Sequence, residues 1–195
     1  MRRAAVLVLL AALASPATAA AEWQIAPMIG ITFAGKTTLQ DLENASGSVH
    51  PTFGISGTYL TSGVIGFEGI AVLTPGFFGS GGDFIEKSRT SAVMGNVVIT
   101  VPPRWAEYSL RPFASGGIGL MRSSQEDKRG VLPVSSNVAG FNIGGGAVGY
   151  FSKTTGVRFD FRYYSNLHGV DQGPIAVGEV HLRYMQAAVG IVIRR

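Results

Sequence analysis

Residues 157–163 read Val-Arg-Phe-Asp-Phe-Arg-Tyr, a strict alternation of charged and large apolar side chains. A β-strand sends successive side chains to opposite faces, so Arg158, Asp160 and Arg162 share one face. Val157, Phe159, Phe161 and Tyr163 share the other. A water-soluble sheet would bury the apolar face and wet the charged one. The rest of the chain argues for the reverse. Charged residues make up 14% of the sequence, against about 25% in a typical soluble domain. There are too few charges to coat a soluble surface, so the apolar face is read as meeting lipid and the charged face as lining a narrow lumen.

The start of the chain supports export. Arg2 and Arg3 precede the apolar run Ala4–Ala14, then Pro16 and the small residues Ala17-Thr18-Ala19-Ala20-Ala21. This pattern predicts a signal peptide over 1–21, cleaved before Ala20 or Glu22. The alternative, a membrane anchor helix, needs roughly 20 apolar residues, and the run is far shorter. Residues 22–195 then suit one domain. With Arg2 and Arg3 removed, 14 basic residues face 12 acidic ones. That balance, without a basic stripe interleaved with aromatics, excludes nucleic acid as the expected partner. The sequence has no cysteine, so neither disulfides nor thiolate metal sites hold the fold. Export, low charge, 27 glycines and the lack of a second long apolar helix point to a closed transmembrane barrel.

Eight segments alternate with period two, near Trp23–Ala34, Thr52–Leu60, Val64–Leu73, Ser91–Val101, Leu110–Met121, Val138–Phe151, Val157–Tyr164 and Glu179–Ile193. Long polar connections (Lys36–Pro51, Thr74–Thr90, Arg122–Asn137, Ser165–Gly178) alternate with short ones (Thr61–Gly63, Pro102–Ser109, Ser152–Gly156). The expected fold is all-β: an eight-stranded antiparallel up-and-down transmembrane barrel, with long loops outside and both termini on the periplasmic side. Aromatics collect toward two rims: Trp23, Tyr59, Trp105, Tyr108, Tyr150 and Phe151 inside, and Phe33, Phe77, Phe78, Phe141, Tyr163 and Tyr164 outside. Such rings favour headgroup depth.

Alternation places Glu68, Arg158, Asp160, Arg162, Glu179, His181 and Arg183 in the lumen. If Tyr164 lies opposite Glu179, then Asp160 faces Arg183 and Arg162 faces His181. Glu68 reaches the seventh strand across the lumen, which in an eight-stranded barrel is only wide enough for side chains to fill. Buried charges there must pair. Glycines such as Gly116, Gly117, Gly119, Gly144, Gly145, Gly146 and Gly149 relieve crowding within the strands.

Several motifs are set aside. Gly30 with Gly35-Lys36-Thr37 matches the phosphate-binding loop, but the residues between continue a strand, where the motif needs a helix. Gly144, Gly146 and Gly149 match a dinucleotide pattern, yet Tyr150-Phe151 and a turn follow. Asn44-Ala45-Ser46 matches a glycosylation acceptor, a pattern that arises by chance. His50, His168 and His181 lack metal-ligand spacing.

Gly140–Phe151 followed by Gly156–Tyr164 resembles the last hairpin of small bacterial outer-membrane barrels of the OmpA/OmpX-like type. Arg111–Gly119 resembles their fifth strand. The resemblance implies an outer-membrane location, an eight-stranded barrel and variable surface loops, but no single activity. Such barrels usually finish on an aromatic residue, whereas this chain reads Val192-Ile193-Arg194-Arg195 at its end. A second resemblance joins Tyr163-Tyr164-Ser165-Asn166 to the His-Tyr-Ser-Asn motif of barrel enzymes that deacylate lipid A. It would make Ser165 the nucleophile and Glu179 the orienting acid, with Tyr163 in the place of the base. Tyrosine is a poor base at neutral pH.

The expected function is non-enzymatic: a plugged barrel with a structural or surface-interaction role through four outer loops. The alternatives are a small or gated ion pore, a lipid A deacylase-like hydrolase and a soluble ligand-carrying barrel. The expected partners are outer-membrane lipid and lipopolysaccharide, the barrel assembly machinery and a surface ligand at the loops. No cofactor is expected.

Overall fold

In the computed structural model, residues 22–37, 49–61, 64–77, 85–102, 110–127, 134–167 and 182–195 are described. They form eight strands: β1 (Glu22–Thr37), β2 (His50–Leu60), β3 (Ile65–Pro75), β4 (Ile85–Thr100), β5 (Leu110–Asp127), β6 (Val134–Tyr150), β7 (Thr155–Asn166) and β8 (Leu182–Arg194). Each pairs antiparallel with the next, and β1 pairs with β8 to close the barrel. Closure removes the sheet edge, the condition for a β-structure in lipid. Trp23 and Arg195 exchange main-chain hydrogen bonds at the seam (3.1 and 2.9 Å).

Sidedness follows the alternation. Phe159 and Phe161 are 58% and 49% exposed, whereas Arg158 and Arg162 are 2% and 1%. Ile25, Ile29, Phe53, Ile55, Phe67, Val93, Ile118, Leu120, Ile143 and Ile191 continue the outer apolar belt. Trp23 and Tyr59 meet on that face near one rim, 4.8 Å between centroids with the rings tilted by 46°. Phe33–Phe161 and Phe141–Tyr163 pair toward the other.

Two expectations about this architecture need correction. The β4, β5 and β6 strands run farther than predicted, to Ile85, Asp127 and Val134. The connection between β5 and β6 is therefore only 128–133, shorter than 101–109 at the opposite end. Much of the predicted loop length is strand protruding past the belt. Tyr164 and Phe77 are also not girdle residues. Both are buried in the outer half of the lumen, where Tyr184 stacks on Tyr164 at 4.9 Å and meets Phe77 edge-on at 5.3 Å. Trp105, Tyr108 and Phe78 lie outside the described residues, as do residues 1–21.

Candidate functional site, the charged lumen

The lumen centre is a closed ring of four charges. Glu68 comes from β3, and Arg158, Asp160 and Arg162 from successive inward positions of β7. The Arg158 Nη2 donates to Glu68 Oε2 at 2.5 Å and to Asp160 Oδ2 at 2.7 Å. The Arg162 Nη2 donates to Glu68 Oε1 at 2.6 Å, and its Nε to Asp160 Oδ1 at 2.6 Å. Each carboxylate thus bridges both arginines, and the ring carries no net charge. Burial of this depth is costly for a lone ion and is sustained by such pairing.

Neutral groups complete the ring. Asn96 Nδ2 donates to Glu68 Oε1 at 3.1 Å, and Asn142 Nδ2 to Asn96 Oδ1 at 2.8 Å. Arg158 Cζ lies 4.3 Å from the Phe113 ring centroid, a cation–π contact that covers its remaining face. Space for Arg162 comes from Gly144, directly opposite on β6. A Cβ there would collide with Phe161 O and lie 2.6 Å from Arg162 Cγ.

The eighth strand departs from the expected register. Tyr164 lies opposite Tyr184, Arg162 opposite Gln186 and Asp160 opposite Ala188. Arg183 is exposed on the outer face, while Leu182 and Tyr184 are buried inside. Arg183 is therefore not part of the lumen network. The sequence reading assumed that apolar side chains always face lipid. Beyond the belt they fill the lumen instead, and the phase of the strand follows that filling. Glu179 and His181 lie outside the described residues, so their predicted pairing does too.

Toward the inner mouth, a second cluster was not anticipated. Glu22, the first residue of β1, accepts from Arg111 Nη1 (3.1 Å), Gln24 Nε2 (2.8 Å) and Tyr150 OH (3.0 Å). Arg194 on β8 lies 3.7 Å from Glu22 and stacks over the Tyr150 ring at 4.2 Å, so Tyr150 belongs to the lumen mouth and not to the expected lipid-facing girdle. Parity was the available signal. Arg111, Phe113 and Ser115 share the inward phase of β5, opposite Leu110, Pro112 and Ala114. Between the two clusters lies a cavity of about 20 Å³ lined by Gln24, Thr58, Thr100, Arg111, Tyr150 and Arg158 among others. That is room for about one water. On the outer side Thr32, Thr52 and Thr74 form a hydroxyl triangle with edges of 2.6, 2.8 and 3.2 Å.

The motifs set aside resolve plainly. Gly30, Gly35, Lys36 and Thr37 all belong to β1, and Gly144, Gly146 and Gly149 to β6. Ser165 donates to the Asn166 main-chain oxygen at 3.4 Å. Among the described residues, no cluster of three metal-ligating side chains occurs.

Comparison with known proteins agrees with this architecture. Neisserial surface protein A (NspA) superposes with a TM-score of 0.62 at 12% identity, covering 89% of this chain and 98% of that one. OprG of Pseudomonas aeruginosa gives 0.58 at 12% identity, covering 91% and 97%. Ail of Yersinia pestis, solved with the heparin analogue sucrose octasulfate, gives 0.53 at 14%, covering 89% and 99%. At these identities the likeness is one of fold. No curated protein matches the sequence. The model of the outer membrane protein beta-barrel domain matches residues 4–192, and the chain belongs to that family.

Proposed function

We propose that this outer-membrane barrel is sealed and acts through its outer surface, by binding rather than by catalysis or conduction. The observation that carries this reading is the ring of Glu68, Arg158, Asp160 and Arg162, which spans the lumen with every charge bridged. An ion crossing the lumen would have to break several charge-assisted bonds at once. The aromatic layer of Phe77, Tyr164 and Tyr184 covers the ring on the outer side. What remains to make contact is the outer end, where the four connections and protruding strands meet the surroundings. Its partners on this reading are lipopolysaccharide, the assembly machinery during insertion, and a surface ligand at the connections.

Planar bilayer recording of the purified full-length protein tests the seal. The expected result is no steady conductance; a steady single-channel current would overturn it. Incubation with lipid A should release no fatty acid, and release that is lost in Ser165→Ala would restore the hydrolase alternative.

A further inference from the structure

The described charged side chains separate by sign. The side-chain carboxylates Glu22, Glu68 and Asp160 all bond within the lumen or its inner mouth. The exposed ones, Arg89, Arg122, Lys153, Arg183 and Arg195, are all basic. Two of these lie together. In the β4–β5 ladder Ser91 is opposite Arg122 and Arg89 is opposite Ser124, which makes the arginines diagonal neighbours on the outward face. Diagonal positions are within reach of long side chains. No ion pair among the described residues includes either of them.

Their position relative to the belt gives the pair its meaning. On the same face, one rung inward of Ser91 and Arg122 and two rungs inward of Arg89, stand Val93 and Leu120, 62% and 64% exposed, with Ile118 (67%) beyond. Beside the arginines lie Ser91 and Ser124, and Asn137 is opposite Arg122 on β6. From the hydrocarbon outward, the described surface is thus an apolar wall and then two rungs, Ser91–Arg122 and Arg89–Ser124, in which each guanidinium stands beside a neutral hydroxyl, with Lys87 opposite Glu126 on the rung beyond. Guanidinium forks match phosphate oxygens bidentately, while hydroxyl and amide groups suit sugar hydroxyls.

We propose that this outward β4–β5 face binds a phosphorylated glycolipid of the outer leaflet. Acyl chains lie on Val93, Ile118 and Leu120, a phosphate is shared by Arg89 and Arg122, and sugar meets Ser91, Ser124 and Asn137. The proposal rests on the outer-membrane reading above and gives its glycolipid partner a defined site on the barrel wall. It does not depend on the seal: a current in planar bilayers would overturn the seal and leave this site standing.

The test is native mass spectrometry of the full-length protein in detergent, with diphosphoryl lipid A and with the same lipid A dephosphorylated. Wild type should bind the phosphorylated lipid about tenfold more tightly. R89Q/R122Q should lose that preference. R183Q, on the opposite wall, should keep it. Equal affinity of wild type for the two lipids would overturn the proposal, whether or not the double variant folds. So would an undiminished preference in a folded R89Q/R122Q protein.

Discussion

Glu68 is the residue on which the lumen depends most. It is 2% exposed and holds both arginines across the barrel. Glu68→Ala leaves Arg158 and Arg162 with one carboxylate between them. It should cost about 3–5 kcal/mol, measured by urea unfolding in lipid vesicles. Glu68→Ala/Arg162→Met restores the charge balance and should recover part of the loss. Gly144→Ala should destabilise by about 1–3 kcal/mol in the same assay, because its methyl group competes with Phe161 O and the Arg162 stem. The inward phase of Glu68, Arg158, Asp160 and Arg162 was legible in the sequence. Each is flanked by residues whose placement is forced: Phe67, Phe159 and Phe161 by lipid, Gly66 and Gly156 by crowding. Arg183 was misplaced because Leu182 and Tyr184 are needed inside, beyond the belt, where no lipid claims them. Arg111 was missed because β5 carries serine and glycine on both faces, which blurs its alternation, and Glu22 because it stands one residue before the predicted start of the first strand.

At the scale of strands, the seam between β1 and β8 carries, among the described residues, an irregularity with a backbone signature. The register shifts between Phe33 and Lys36, and Ala34 adopts φ of 51°. This left-handed conformation costs a non-glycine residue about 1–2 kcal/mol. Ala34→Gly should therefore stabilise the barrel, by about 0.5–1 kcal/mol after the added freedom of the unfolded chain is subtracted. Unfolding titrations with a matched Ala26→Gly control would check it, since Ala26 is 1% exposed in regular strand and the same change should destabilise there. The existence and order of all eight strands were readable from alternation. Their outer ends were not. Beyond Met121, β5 reads Arg-Ser-Ser-Gln-Glu-Asp, polar on both faces, so it has no contrast by which to be distinguished from a loop. Pairing with β4 and β6 holds it as strand nonetheless.

For the whole molecule, the account reduces to which surface meets hydrocarbon. The chain has no cysteine, so single cysteines can be introduced and spin-labelled without background. The direct measurement is the nitroxide's collision rate with lipid-soluble oxygen and with a water-soluble nickel chelate, in protein reconstituted into bilayers. Labels at Val93, Phe159, Phe161 and Ile191 should relax strongly with oxygen and weakly with nickel. Labels at Thr58, Asn96 and Asn142 should be shielded from both, inside a packed lumen. Nickel accessibility at Phe159 and Phe161, with oxygen-rich surroundings at Asn96 and Asn142, would contradict the account.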